Sequence, residues 1–282
     1  MKKVPLSLCL RRILDVGSVL ILASCITSPP ATPIPFATAT PAQDLRPELA
    51  AYFQGLPGAF VLYDPQTNRY LRYNPERCAE RFLPASTFKI LNSLIGLETG
   101  VIPDENFVIP WDGTRYDIPS WNQNHTLRTA MQNSVVWYYQ ELARRVGREK
   151  MQQYATAAHY GNETISGPID AFWLEGGLRI SADEQVEFLK RLYAGALPFA
   201  PRTMAIVKDI LVLEKTQTYQ LSGKTGTVSV ISAHTNWFVG YLEESGKVTF
   251  FAANLELPAG DTNSGRAKGI ALYILRGLGF MK

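Results

Sequence analysis

Ala59-Phe60-Val61-Leu62-Tyr63 and Arg69-Tyr70-Leu71-Arg72-Tyr73 are two short aromatic and β-branched runs separated by Asp64-Pro65-Gln66-Thr67-Asn68, and together they read as an antiparallel hairpin. Three more runs of strand character lie near the other end of the chain: Tyr219 to Lys224, Asn236 to Leu242 and Lys247 to Asn254, the last two joined through Glu244-Ser245-Gly246. Between these groups, helical periodicity covers Thr87 to Glu98, Leu127 to Arg145, Ala182 to Tyr193 and Arg202 to Ile210, and a final stretch, Gly265 to Leu278, closes the chain. Strands at both ends around a mostly helical middle predict an α+β fold. One antiparallel sheet is built from N- and C-terminal strands, with helices on its faces and an inserted, mostly helical lobe. A cleft is expected between the lobes.

The 282 residues, 46% hydrophobic and 19% charged, suffice for a substantial core. The net charge of +3 is carried by Lys2, Lys3, Arg11 and Arg12 against Asp15, so the rest of the chain is neutral. A neutral body without a basic stripe excludes nucleic acid as an expected partner. Residues 1–24, basic and then largely apolar from Val16 to Ser24, read as an export signal. Leu22-Ala23-Ser24-Cys25 resembles a bacterial lipoprotein cleavage box, which would make Cys25 a lipidated N-terminus and hold the protein at the cell envelope. Plain secretion and an uncleaved anchor are the alternatives. No other stretch approaches the ~20 apolar residues that span a bilayer. Residues 25–43, rich in Pro, Thr and Ala, read as an extended linker, and 44–282 as the folded domain. Cys78 is then the only cysteine of the body, so no internal disulfide is expected, and a small buried side chain is its simplest role.

Pro84-Ala85-Ser86-Thr87-Phe88-Lys89 precedes the apolar series Phe88, Leu91, Leu94 and Ile95, which puts Ser86 in the first turn of a core-facing helix with Lys89 one turn on, on the same face. A serine is a weak nucleophile unless a neighbour takes its proton, and a lysine does so only where burial holds it neutral or converts it into something basic. Alone, Ser-x-x-Lys is a weak signal and an ordinary solvent-facing lysine is the simpler reading. Lys224-Thr225-Gly226 ends an expected strand, where a glycine lets a ligand approach the backbone and a cation and hydroxyl suit a carboxylate. Ser134-Val135-Val136 lies in the helical middle, where a serine bonded to a helix carbonyl is the default. His125, His159 and His234 are isolated, no metal-ligand spacing is present, and no Gly-x-Ser-x-Gly elbow occurs.

In order, Ser86-x-x-Lys89, Ser134-Val135-Val136, Tyr160-Gly161-Asn162 and Lys224-Thr225-Gly226 resemble the motifs of the penicillin-interacting serine enzymes, and in detail those of the class D (oxacillinase-type) serine β-lactamases. Trp121-Asn122-Gln123-Asn124-His125-Thr126-Leu127-Arg128 and Phe172-Trp173-Leu174-Glu175-Gly176-Gly177-Leu178-Arg179-Ile180-Ser181 resemble that family too, so the likeness runs from about Leu49 to the C-terminus. Valine after Ser134, where class A enzymes carry Ser-Asp-Asn, disfavours class A.

The resemblance implies hydrolysis of β-lactam antibiotics through a Ser86 acyl-enzyme. It also implies a Lys89 carboxylated by carbon dioxide or bicarbonate as base in both steps, with the carbamate held by the Trp173 indole N–H. Beyond CO2 no cofactor is implied. Ser134 with Lys224 would relay a proton to the departing nitrogen, and the backbone N–H groups of Ser86 and Thr227 would form the oxyanion hole. Lys224, Thr225 and Arg266 would meet the substrate carboxylate beside Gly226 and Val136. Tyr160-Gly161-Asn162 reads mainly as a turn shaping the cleft wall. The family commonly has an aromatic residue and then serine after Lys-Thr-Gly, whereas Thr227 and Val228 stand before Ser229 here, which leaves the pocket rim open. A β-lactam sensor domain that acylates without turnover and a cell-wall DD-peptidase are the alternatives.

Overall fold

The computed structural model describes residues 42–230, 233–258, 261 and 263–281. The export signal, Cys25 and nearly all of the linker lie outside the described residues. Nine strands are β1 (Ala42–Leu45), β2 (Gly58–Asp64), β3 (Arg69–Tyr73), β4 (Val108–Ile109), β5 (His125–Thr126), β6 (Val212–Lys215), β7 (Tyr219–Val230), β8 (Ala233–Glu244) and β9 (Lys247–Glu256), among the described residues. The α-helices are α1 (Ala50–Phe53), α2 (Pro75–Ala79), α3 (Lys89–Glu98), α4 (Leu127–Gln132), α5 (Val136–Val146), α6 (Arg148–Ala157), α7 (Ala182–Tyr193), α8 (Pro201–Ile210) and α9 (Arg266–Gly277). None of the described helices is long and apolar enough to cross a membrane.

Seven strands form one sheet in the order β1-β3-β2-β9-β8-β7-β6. The hairpin forms as its pattern predicts, with Phe60 opposite Tyr73 and Asp64 opposite Arg69. Its first strand then pairs antiparallel with β9, Ala59 opposite Asn254 and Tyr63 opposite Phe250, which joins the two ends of the chain in one sheet. Among the described strands only β1, which the sequence pattern did not suggest, runs parallel to its neighbour β3.

The sheet is buried on both sides, and strand alternation divides the core in two. Phe60, Leu62, Phe238, Leu242, Phe251 and Ala253 pack on one face with Ala267, Ala271, Ile274 and Leu275 of α9. Ala59, Val61, Trp237, Val239, Phe250 and Ala252 point the other way, into the larger core shared with α3, α5 and α7. That is why β2 and β9 read as nearly continuous apolar runs.

Two expectations change. Leu127 to Arg145 is two helices, because the chain turns at Asn133–Val135. Ser134 adopts φ +53; its N–H bonds to Met131 O at 3.2 Å and the Val135 N–H to Ala130 O at 2.9 Å, a Schellman ending built without glycine. Strand β7 also does not end at Lys224 but runs through Lys224-Thr225-Gly226 to Val230, paired throughout with β8.

Candidate active site

Ser86 sits in a 3-10 turn, Ala85–Phe88, that leads directly into α3. Ala85 before it has φ +51, a left-handed backbone that costs a non-glycine residue about 1–3 kcal/mol unless its surroundings hold it. Several bonds do. The Ala85 N–H donates to Trp173 O at 3.1 Å and the Thr87 N–H to Pro84 O at 3.1 Å. The Thr87 hydroxyl also donates to Pro84 O at 2.7 Å, and Gln185 Nε2 of α7 donates to that hydroxyl at 2.8 Å. Strand β7 closes the turn from outside. A Cβ on Gly226 would lie 3.0 Å from Pro84 O and 3.1 Å from Thr87 Cγ2, so glycine here serves the approach of strand to turn.

Lys89 is wholly buried, and its Nζ lies 2.5 Å from Ser86 Oγ, 3.1 Å from Ser134 O and 3.2 Å from Ser134 Oγ. Lys224, 4% exposed, points Nζ at the same Ser134 Oγ at 2.9 Å and at Thr225 O at 3.0 Å. Two buried amines therefore flank one hydroxyl, that of the half-buried Ser134. Burial first, and then the charge of Lys224, push the Lys89 ammonium well below the ordinary lysine range. Burial alone brings Lys224 down to about 7. A neutral Lys89 amine has a lone pair within reach of the Ser86 proton.

Ser134 reaches this position because of the Schellman turn. A serine inside a continuous helix would spend its hydroxyl on the preceding turn, whereas the left-handed residue between α4 and α5 projects it between the two lysines. Val136 follows as the first residue of α5 and is half-buried.

Trp173 is fully buried, stacked on Phe88 with ring centroids 5.3 Å apart and set edge-on to Phe172. Its indole N–H has no acceptor among the described residues. A buried donor left unpaired costs about 1–3 kcal/mol. With the buried Lys89 amine, its ammonium form disfavoured, on the residue next to Phe88, this donor fits a carbamate on Lys89: the tryptophan would hold it, and it would supply an anionic base at the nucleophile.

Thr225 and Thr227 are half-buried on β7. Arg266 is the first residue of α9, and its Nη2 pairs with Asp261 Oδ2 at 2.9 Å. The link between them is a residue the sequence reading passed over. Asn236 stands opposite Thr227 and donates through Nδ2 to Thr227 Oγ1 at 2.8 Å and to Ser264 O at 3.1 Å, while its Oδ1 accepts from the Ala267 N–H at 2.7 Å. Gln185 and Thr87 were also missed: Gln185 belongs to no recognisable motif and Thr87 is a variable position within Ser-x-x-Lys, so only tertiary contact gives them a role.

Tyr160 is fully buried, edge-on to Phe88 and Phe188, so it backs the nucleophile turn instead of forming the cleft wall. Gly161 has φ +59 and its missing Cβ would fall 2.0 Å from Arg179 O. Asn162 ties this turn down, donating to Gly177 O at 2.9 Å and accepting from the Arg179 N–H at 2.9 Å. His125 is buried between Ser120 O at 2.8 Å and Thr129 Oγ1 at 3.0 Å, a structural place. Among the described residues no group of three or more His, Cys, Asp or Glu side chains is arranged to hold a metal ion.

Comparison with known proteins agrees with this geometry. The family described as penicillin binding protein transpeptidase domain matches residues 58–276. β-Lactamase OXA-48 of Klebsiella pneumoniae is 45% identical over 204 residues, 72% of this chain and 77% of that protein. The regulatory protein BlaR1 of Bacillus licheniformis is 41% identical over 220 residues, 77% of this chain but 36% of that protein. Among solved structures, the class D β-lactamase YbXI from Nostoc superposes with a TM-score of 0.79 at 42% identity, covering 82% of this chain and 98% of that one. The chain belongs to the penicillin-binding-protein transpeptidase family and, within it, to the class D β-lactamases.

Proposed function

We propose that this protein hydrolyses β-lactam antibiotics through a covalent intermediate on Ser86. The observation that carries the reading is the wholly buried Lys89 Nζ 2.5 Å from Ser86 Oγ, held off its ammonium form by burial and by Lys224. The Ser86 hydroxyl gives its proton to the residue-89 side chain as Oγ attacks the lactam carbonyl carbon. The carbonyl oxygen then carries negative charge, and the backbone N–H groups of Ser86 and Thr227 are the donors assigned to it, a provision worth about 10²–10³ in turnover. When the lactam C–N bond breaks, the nitrogen takes a proton from Ser134, and the proton that residue 89 took from Ser86 passes back to Ser134 Oγ, which lies 3.2 Å from Lys89 Nζ and 2.9 Å from Lys224 Nζ, so residue 89 is free to act as base again. Water then attacks the ester carbonyl, losing its proton to residue 89, and residue 89 returns that proton to Ser86 Oγ as the carbonyl C–Oγ bond breaks. Carbon dioxide bound to the Lys89 amine as a carbamate would supply an anionic base for both proton removals, with Trp173 Nε1 as its support. Lys224, Thr225 and Arg266 would meet the substrate carboxylate, the arginine through its planar fork.

Export and lipidation at Cys25 complete the reading, placing the enzyme at the membrane surface without a spanning segment. Nucleic acid has no part in it.

The similarity to a regulatory protein favours one second reading: a receptor domain that acylates and then stops. A chromogenic cephalosporin given to the full chain separates the two. Hydrolysis at many turnovers per protein, abolished by Ser86→Ala and Lys89→Ala and found in the membrane fraction unless Cys25 is changed to serine, is the expected result. One equivalent of label with no turnover would overturn the enzyme in favour of the receptor. Turnover indifferent to Ser86→Ala would overturn both.

A further inference from the structure

We infer that Asn236 is a positioning residue that fixes Arg266 relative to the Thr227 backbone, and so sets recognition of the substrate carboxylate. The inference rests on the β-lactam reading above.

The first N–H groups of a helix have no intrahelical partner and need one from elsewhere. Helix α9 begins at Arg266, and Gly265 before it, in the capping position, has no side chain to cap it. Asn236 supplies the missing acceptor from a different element: its Oδ1 takes the Ala267 N–H at 2.7 Å, and its Nδ2 holds Ser264 O at 3.1 Å. These two contacts bracket Arg266 in sequence. They also fix which end of the carboxamide is oxygen, because an N–H demands an acceptor and a carbonyl demands a donor. The second Nδ2 proton goes to Thr227 Oγ1, so one side chain ties the strand assigned to the oxyanion to the helix start that carries the arginine.

Packing alone would not do this. Ala267, Ala271 and Ile274 lie on Phe238 and Phe251, and apolar burial is non-directional, so it tolerates small slides of α9 along the sheet. Thr227, by contrast, is held by the strand ladder opposite residue 236 whatever the side chain there. What the amide alone contributes is therefore the register of the helix start. Asn236 is completely buried, and a buried amide is retained at a cost unless it is bonded, as this one is three times. A β-lactam offers its carbonyl and its carboxylate at a separation fixed by the ring, so a fixed distance between their partners lowers KM without altering the acyl transfer itself.

The test compares the full chain with Asn236→Ala and Asn236→Ser on a chromogenic cephalosporin and on its methyl ester, with rates counted per titrated Ser86. For the free acid, KM rises about tenfold in Asn236→Ala, the effect of about one lost positioning bond, with kcat within about twofold. For the ester, kcat/KM stays within about twofold. Adding Arg266→Ala to Asn236→Ala costs the free acid little more, since the arginine is already displaced. Asn236→Ser, which keeps a hydroxyl for the Ala267 N–H, falls between. Equal losses on acid and ester, no loss on either, or failure of both variants to fold would make Asn236 a scaffold residue and overturn the inference. A wild-type chain without turnover would instead bring down the β-lactam reading.

Discussion

At the scale of single residues, two buried lysines share one serine hydroxyl, and their titration has a consequence for stability. Lys224 has its pKa depressed to about 7 by burial, while in the unfolded chain it stays near the ordinary 10.5. Between those values the unfolded chain holds a proton that the folded protein lacks, so stability rises with pH across that window and falls toward pH 7. Lys89 acts in the same sense. In buffer stripped of carbon dioxide, Lys224→Met therefore gains most over the wild type in Tm near pH 7, and the gain shrinks by pH 10. A difference in Tm that is the same at both pH values would contradict the assignment. Of these residues, Ser86, Lys89, Ser134 and Lys224 stood out through the resemblance of their motifs, taken together, to a known family, and not through the spacing of any one of them. The sequence was mute on Asn236 and Gln185, since a single buried amide has no pattern and gains meaning only from what it touches.

At the scale of elements, the hairpin, α7 and α9 were legible because their periodicity is strong, and α7 also carries a reciprocal cap between Ser181 and Glu184. The break between α4 and α5 was not, because it is made by a left-handed serine where glycine or asparagine would signal an ending. The reach of β7 was misjudged for the opposite reason: Gly226 looked like a terminator and is instead the place where the strand touches the nucleophile turn. Gly226→Ala tests this. The new Cβ, 3.0 Å from Pro84 O and 3.2 Å from the Thr87 nitrogen, forces the turn back by a few tenths of an ångström. Overpacking of this kind costs about 1–3 kcal/mol, or about 2–4 °C of Tm per kcal/mol in a domain of this size. Because the displaced turn carries Ser86, kcat/KM falls further than stability suggests, by about tenfold to a hundredfold. Activity equal to the wild type would show that the turn is not gauged by the strand.

At the scale of the molecule, the site exists only because distant segments share one sheet. Strand β2 pairs with β9, and this brings the hairpin at one end of the chain beside the three long strands at the other. The nucleophile turn, the α4–α5 break, Trp173, β7 and the start of α9 then converge from five separate stretches. The strand–helix–strand order predicted that closure; the distances within it had to come from the structure. That closure buries the Lys89 amine, which disfavours its ammonium form, and it buries the Trp173 indole N–H with no acceptor among the described residues. The most direct measurement is carbon-13 NMR of the full chain in labelled bicarbonate, run alongside turnover. One carbamate resonance, absent from Lys89→Ala and rising and falling with activity as bicarbonate is added and removed, is the predicted result. Full activity in carbon-dioxide-free buffer with no such resonance would contradict it.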